Sequence, residues 1–175
     1  MKKEASGHRH DEGISIVKTA WSPLGNLLIA SEKEYVTGLW FEGQKHFGTT
    51  LRNNQREGTN EAIRLTEKWL EIYFKGEIPD FTPPLKLKGT EFRKKVWKAL
   101  LDISYGQTAA YSDIAAKLGN TSARAVGGAV GLNPISIIVP CHRVIGKNGS
   151  LTGYAGGIKK KKELLKMERG KVNEK

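Results

Sequence analysis

The chain has 175 residues, of which 38% are hydrophobic and 27% charged, and its formal net charge is +11. This length and composition predict a globular protein with a real core, built as one large domain or two small ones. The single cysteine, Cys141, excludes an internal disulfide and a thiolate-rich zinc cage, and no stretch reaches the ~18 apolar residues of a membrane span. We therefore expect a reducing, cytoplasmic location, no contact with a membrane and no bound metal.

The positive charge is concentrated in the C-terminal half of the chain. Residues 1–84 carry a net charge of −1, whereas residues 85–175 carry +12. A basic domain beside a neutral one is typical of a protein in which one module binds a polyphosphate. The alternative is a lysine-rich surface that is merely solvated, and charge alone does not separate the two.

The N-terminal half is predicted to form a small domain with an antiparallel sheet. The first ~12 residues, which include His8 and His10, are expected to form a flexible tail rather than a metal site. Residues 18–43 mix β-branched, aromatic and aliphatic side chains between turn signals at 22–25 and 31–34, which indicates a meander of strands. The segment "RNNQREG" that follows is predicted to be a polar loop.

An amphipathic helix is predicted over residues 60–76, and Gly76 ends it. Its apolar residues recur at helical spacing, so the helix is expected to cover the meander with Ala62, Leu65, Trp69 and Ile72. The stretch "EIPDFTPPL" then holds three of the six prolines and is predicted to be a stiff linker. We place the boundary near residue 84, between an N-terminal α/β domain (1–84) and a C-terminal domain (85–175).

The C-terminal half is predicted to begin with three helices. Thr90 is a suitable cap for "EFRKKVWKALLDI", in which Phe92, Val96 and Leu100 form one apolar stripe. The shorter helices "YSDIAAKLG" and "TSARAVGGAVG" are separated by Gly119-Asn120. A helix, a glycine-containing turn and a second helix predict a helix-turn-helix, with an ordinary helical hairpin as the alternative.

Six of the eleven residues in the second of these short helices are glycine or alanine. Each glycine costs a helix roughly 1 kcal/mol relative to alanine, so the composition needs a reason. Small residues allow the backbone to approach another surface closely. That surface is either a neighbouring helix or a DNA groove, in which case Arg124 is the one long side chain that would probe it.

Cys141 lies at the end of the apolar run 135–139, within Pro-Cys-His-Arg. A buried cysteine usually behaves as a small hydrophobe, whereas a nucleophilic cysteine needs a base that takes its proton. His142 is the candidate base, although neighbours in an extended chain point to opposite faces, so contact requires a turn or a bridging water. The last helix, "IKKKKELLKMERG", is expected to turn Ile158, Leu164 or Leu165, and Glu168 inward and to leave its lysines solvated.

The stretch "RAVGGAVGLNPISIIVPCHRVIGKNGSLTGYAGG" closely resembles the active-site region of the bacterial-type O6-alkylguanine-DNA alkyltransferases. The resemblance extends through "GTEFRKKVWKAL" and "YSDIAAKLG" to "ELLKMERG", whereas the first 84 residues resemble the family only in pattern. It implies an α+β fold, in which a small N-terminal antiparallel-sheet (ribonuclease H-like) domain precedes a mainly helical, winged-helix-like domain with a helix-turn-helix.

The resemblance also implies an activity. Such a protein transfers an alkyl group directly and irreversibly from O6-alkylguanine, and more weakly from O4-alkylthymine, in duplex DNA to its own cysteine. The reaction is stoichiometric, uses no cofactor and follows base flipping, because the alkylated base must leave the stack before a thiolate can reach it. A monomer without an obligatory protein partner, bound in the minor groove, is expected.

Roles for individual residues follow from the same resemblance. Cys141 is the implied nucleophile, which His142 activates through a water and Glu168 supports by orienting His142. Asn133 is implied to fix the turn before the cysteine. Tyr111 is implied to press on the DNA phosphate and to donate a proton to the leaving purine. Arg124 is the implied finger that fills the gap left by the flipped nucleotide. The other implied DNA contacts are Thr121, Ser122, Ala123, Ala125 and Gly127, and the implied base pocket comprises Tyr154, Ala155, Gly156 and Val144.

Two positions depart from the family pattern. Ala155 stands where many relatives have serine, which removes a hydroxyl, and Arg169 interrupts a common Glu-Gly pair after Glu168. Two other functions are compatible with parts of the sequence. An alkyltransferase-like damage sensor would flip the same base without transfer, but such proteins lack the cysteine; a transcription regulator with a helix-turn-helix leaves "IIVPCHRV" and "TGYAGG" without a purpose.

Overall fold

The structure is a computed structural model that describes the backbone of residues 13–173 and the side chains of residues 13–170. The predicted N-terminal tail with His8 and His10 therefore lies outside the described residues. Within the described part of the chain, no helix is long and apolar enough to cross a bilayer.

The N-terminal domain is a four-stranded sheet covered by one helix. Its strands are β1 (Ser15–Ala20), β2 (Leu27–Glu32), β3 (Tyr35–Phe41) and β4 (Gln55–Glu57), in the spatial order β3-β2-β1-β4. The first three form the predicted meander, and β4 pairs with β1 in parallel. The prediction of a loop over "RNNQREG" is wrong at β4, because this short edge strand exposes all three residues and so carries no apolar alternation.

Helix α1 (Glu61–Phe74) begins where the side chain of Asn60 accepts a hydrogen bond from the Ile63 N–H and ends before Gly76, whose φ is +78°. Its buried face is rotated from the predicted one. Leu65 and Ile72 are only half-buried, and the fully buried positions are Ala62, Ile63, Thr66, Trp69, Leu70 and Tyr73. The stripe differs because α1 packs on β2 and β3 and also carries Tyr73 into the C-terminal domain.

The free edge of β3 joins the two domains. The Val36 N–H donates to the Pro84 carbonyl (2.8 Å) and the Lys86 N–H donates to the Val36 carbonyl (2.9 Å), so the proline-rich segment is partly paired with the sheet. Further along the same edge, the Leu39 N–H donates to the Pro134 carbonyl at 2.9 Å. The chain just before Cys141 is thus held by the N-terminal sheet.

The C-terminal domain contains α2 (Glu91–Leu100), α3 (Tyr111–Lys117), α4 (Ala123–Gly131) and α5 (Ile158–Asn173). Two short strands, β5 (Ala109–Ala110) and β6 (Val144–Ile145), pair in parallel, and a 3-10 turn spans Cys141–Arg143. Helices α3 and α4 form the predicted helix-turn-helix, and Gly119 and Asn120 both take positive φ angles in the turn between them.

Three predicted side-chain placements in this domain are wrong. Phe92 is exposed, because the buried aromatic residue of α2 is Trp97, whose indole N–H donates to the Ala129 carbonyl of α4 at 2.8 Å. Ile158 is also exposed at the start of α5. Lys161, expected in solvent with the other lysines of α5, is fully buried, and its ammonium is satisfied by backbone carbonyls.

Candidate active site and DNA-binding face

The turn that precedes Cys141 is organised by one buried asparagine. The Asn133 Oδ1 accepts from the Ile135 N–H at 2.9 Å, and its Nδ2 donates to the Val139 carbonyl at 2.8 Å and the Ile135 carbonyl at 3.3 Å. The turn passes through Ile137 at φ 71°, a conformation that β-branched residues rarely adopt. The side chain of Asn133 therefore stabilises a strained backbone that leads directly to the cysteine.

Cys141 is buried, with 5% of its surface exposed, at the start of the 3-10 turn. Burial raises the pKa of its thiol, an effect that a hydrogen bond from Asn133, the charge of Lys161 and the backbone N–H groups of Cys141 and His142 only partly oppose. At neutral pH the sulfur is consequently held as a thiol. A nucleophilic role requires a partner that removes the proton.

His142 occupies the next position and is fully buried. Its Nε2 lies 2.7 Å from Oε1 of Glu168 on α5, and burial lowers the pKa of the imidazole even though Glu168 opposes this effect. The ring is therefore neutral at neutral pH. Because Glu168 is ionised, Nε2 carries the proton and donates it, which leaves Nδ1 as a lone-pair acceptor. Among the described residues this buried Nδ1 has no hydrogen-bond partner.

Glu168 is fully buried and accepts hydrogen bonds from four residues in three parts of the chain. Besides His142, the Arg143 guanidinium donates at 2.9 and 3.0 Å, the Tyr73 hydroxyl at 2.9 Å and the Gly106 N–H at 3.3 Å. Burial alone would raise the pKa of this carboxyl, but hydrogen bonds from His142 and Arg143, the charge of Arg143, and the charge that His142 gains in acid lower it to about 2. The carboxylate is thus charged and held in one orientation.

Sequence reasoning missed three residues of this cluster. Lys161 donates to the Val144 carbonyl at 2.6 Å and to the Thr152 carbonyl at 3.0 Å, which ties α5 to both sides of the loop after the cysteine. Arg143 and Tyr73 bind Glu168, as described above. Arg143 carried a signal, because a charged residue directly follows an apolar run and the Cys-His pair. Lys161 is one of four consecutive lysines, and Tyr73 lies 95 residues from Glu168, so neither could be singled out.

Tyr111, the first residue of α3, links the cysteine region to the helix-turn-helix. Its hydroxyl donates to the Thr152 carbonyl at 3.1 Å, and its ring lies 3.7 Å from where a Cβ of Gly127 on α4 would stand. Burial raises the pKa of its phenol, to which a nearby Cys141 thiolate would contribute. The phenol is therefore protonated at neutral pH and can act as a donor.

The other predicted DNA contacts form one exposed end of α4, apart from the buried cluster. Ser122 caps the helix by accepting from the Ala125 N–H at 2.9 Å. The side chains of Ser122, Ala123, Arg124 and Ala125 are exposed, and Thr121 and Gly127 are half-buried. A Cβ on Gly128 would meet open space, so this surface of α4 is flat, and Arg124 is the long side chain on it.

Three of the predicted pocket residues, 154–156, lie in the loop that follows β6, and the fourth, Val144, lies in β6. Tyr154 and Val144 are buried, and the Tyr154 hydroxyl has no hydrogen-bond partner among the described residues. A Cβ on Gly156 would stand 2.8 Å from the Tyr154 ring and 3.3 Å from Phe41 of β3, so only glycine fits there. The Ala155 carbonyl accepts from the Lys45 N–H at 3.1 Å, which attaches this loop to the N-terminal domain as well.

Comparison with known proteins matches both halves of the chain to one family. The model of the 6-O-methylguanine DNA methyltransferase ribonuclease-like domain matches residues 16–87, and the model of the DNA binding domain of the same protein matches residues 91–170. These matches agree with the predicted fold class, which is confirmed.

Individual relatives cover most of the chain. The methylated-DNA–protein-cysteine methyltransferase of Haemophilus influenzae is 44% identical over 151 residues, covering 85% of this chain and 83% of that protein. The constitutive enzyme of the same name from Bacillus subtilis is 45% identical over 161 residues, covering 90% and 97%. The crystal structure of Mycobacterium tuberculosis OGT in complex with DNA matches with a TM-score of 0.81 at 44% identity, over 89% of this chain and 93% of that one. The resemblance inferred from the active-site motif is confirmed, and the chain belongs to the 6-O-methylguanine DNA methyltransferase family.

Proposed function

We propose that this protein repairs alkylated DNA by moving the alkyl group of O6-alkylguanine, and more weakly of O4-alkylthymine, onto Cys141 in a single turnover. The observation that supports this most is the buried arrangement of the only cysteine, the neighbouring neutral His142 and the ionised Glu168. Because the pKa of the thiol is raised, activation needs a base, and the neighbouring His142 has an Nδ1 lone pair without a partner among the described residues.

In the proposed reaction, the alkyl group leaves O6 for the sulfur, and the thiol proton is relayed to the purine. The Cys141 proton passes through a water to Nδ1 of His142, and Glu168 stabilises the resulting imidazolium. The sulfur attacks the alkyl carbon, the bond from that carbon to O6 breaks, and its electrons remain on the purine. Tyr111 donates a proton to the purine and regains one from His142 through solvent, so that the thiol proton ends on guanine.

Base flipping precedes this step, because the thiol is buried and a stacked base cannot reach it. In the proposed complex, the flat surface of α4 lies in the minor groove and Arg124 takes the place of the everted nucleotide. Tyr154, Ala155, Gly156 and Val144 line the pocket that receives the base. A monomer in a reducing compartment such as the cytoplasm suffices, because the pathway uses one chain and needs a free thiol.

The test of the proposed function is the fate of the alkyl group. Duplex DNA with a radiolabelled O6-methylguanine is mixed with an increasing amount of protein. We expect label to move to the protein until one alkyl group per chain is reached and then to stop, because nothing in the site can cleave a thioether. Label released to solution, or several turnovers with excess DNA, would contradict the proposal, and binding without transfer would favour the damage-sensor alternative.

Replacing Arg124 by alanine should separate base flipping from chemistry. We expect duplex repair to slow about tenfold or more, because filling a base stack contributes roughly 1–3 kcal/mol. Reaction with the free base O6-benzylguanine should be unchanged, since a free base needs no flipping. The control is Arg64→Ala, because Arg64 is also an exposed arginine but lies on α1 in the N-terminal domain. Equal losses on duplex and free base would instead assign Arg124 to the stability of the fold.

A further inference from the structure

The active-site carboxylate receives one hydrogen bond from the other domain. Tyr73 lies near the end of α1, is fully buried, and donates its hydroxyl to Oε1 of Glu168 at 2.9 Å. Its ring stacks on Trp69 with 5.2 Å between centroids and meets Phe74 and Tyr105 edge-on at 5.3 and 6.0 Å. The N-terminal domain thus holds this phenol in one orientation by aromatic packing.

The bonded oxygen is the one that His142 uses. Oε1 of Glu168 accepts from Nε2 of His142, from Nη2 of Arg143 and from the Tyr73 hydroxyl, while Oε2 accepts from Nε of Arg143 and from the Gly106 N–H. Tyr73 is thus one of three residues that donate to Oε1. Its hydroxyl helps to fix the direction of the lone pair that faces the imidazole and withdraws negative charge from that oxygen. A phenylalanine would fill the same aromatic cluster, so packing alone does not explain a hydroxyl at this point.

We propose that Tyr73 is a positioning residue through which the N-terminal domain orients Glu168 on His142 and limits how strongly this carboxylate stabilises the imidazolium. This inference rests on the proposed function, in which His142 is the base. It gives the N-terminal domain a part in the chemistry beyond holding the chain that precedes the cysteine.

The direction of the effect depends on every charged or titratable group around the histidine. Those groups are Glu168 and Lys161 on α5, Arg143 and Cys141 in the 3-10 turn, Tyr105 in the loop after α2, Tyr154 in the loop after β6, and Tyr73 on α1. Burial, Arg143 and Lys161 lower the pKa of His142, and Glu168 raises it. Removing the Tyr73 hydroxyl leaves more charge on Oε1, so the opposing effect of Glu168 grows and the pKa of His142 rises.

Tyr73→Phe is the first test, with Tyr105→Phe as a matched control. The control removes a buried hydroxyl from the same aromatic cluster, one that has no hydrogen-bond partner among the described residues. We expect the acid limb of the pH profile for transfer from O6-benzylguanine to move up by on the order of half a pH unit in Tyr73→Phe. Below its midpoint the rate then falls about threefold. The control should keep the wild-type profile.

A second variant keeps both the ring and the hydroxyl. Incorporation of 3-fluorotyrosine at position 73 makes the phenol a stronger donor, and we expect the acid limb to move down instead. The pKa of His142, followed by the 15N shifts of its ring during a pH titration, should likewise be highest in Tyr73→Phe and lowest in the 3-fluorotyrosine variant. Those shifts are recorded in a Cys141→Ser background, so that this readout requires no transfer.

Opposite shifts in the two Tyr73 variants, with none in Tyr105→Phe, support the inference. A change in thermal stability without any shift in the His142 titration would overturn it and leave Tyr73 as a packing residue. Absence of transfer by the wild-type protein would contradict the proposed function but not this inference, because the NMR titration judges Tyr73 independently.

Discussion

Cys141→Ala is expected to lose alkyl transfer completely and to bind duplex DNA almost as well as the wild-type protein. The chain has no second cysteine to replace the nucleophile. The exposed residues of α4 that are proposed to bind DNA are separate from this buried sulfur, so DNA binding should persist. Transfer is measured with labelled duplex DNA and binding by fluorescence anisotropy on the same oligonucleotide.

Ser136→Ala is the control for this experiment. Ser136 is another small buried polar residue of the same turn, and its hydroxyl lies 3.3 Å from the Gln44 side chain. This variant should retain transfer. Label appearing on the Cys141→Ala protein would show that another atom is the acceptor and would contradict the mechanism. Equal loss in both variants would instead assign the effect to collapse of the turn.

The organisation of the chain could be predicted largely from local patterns. Turn signals at 22–25 and 31–34 predicted the meander, and Gly119-Asn120 predicted the helix-turn-helix, because short-range backbone chemistry determines both. Strand β4 could not be predicted. Its pairing with β1 joins residues 40 positions apart, and its side chains are all exposed, so no local period marks it.

The candidate site shows the same division between local and distant information. Cys141, His142 and Asn133 lie within ten residues of one another, in a motif that specifies them together. Glu168 lies 26 residues beyond His142, and it was proposed as an inward-facing acidic residue of the last helix and, through the family resemblance, as the group that orients His142. The prediction that Lys161 is solvated was wrong because a lysine is almost never fully buried. No sequence pattern shows that its ammonium donates to the Val144 and Thr152 carbonyls. Tyr73 and Phe41 reach the site across the domain interface, which only the tertiary structure reveals.

The second large effect is expected for Glu168→Gln. A neutral amide leaves the buried Arg143 guanidinium without its counterion. Removing one partner of a buried ion pair lowers the free energy of unfolding by roughly 3–5 kcal/mol. Transfer should slow at least about 100-fold, since the amide can also donate to Nε2 of His142 and force the proton onto Nδ1, the wrong tautomer for a base. The control is Glu163→Gln, at an exposed position on the same helix, which should change neither the free energy of unfolding nor the rate of transfer.

The pH dependence distinguishes loss of the charge from loss of packing. The pKa of Glu168 is about 2 in the folded protein, against 4.5 for a free carboxyl. A lowered pKa in the folded state contributes stability that is fully present above pH 4.5 and is lost as the pH falls toward 2. The difference in free energy of urea unfolding between the wild-type protein and Glu168→Gln should therefore be greatest near neutral pH and shrink on acidification. A difference that stays constant from pH 7 to about 3 would show that shape, rather than the carboxylate charge, is what Glu168 contributes at this position.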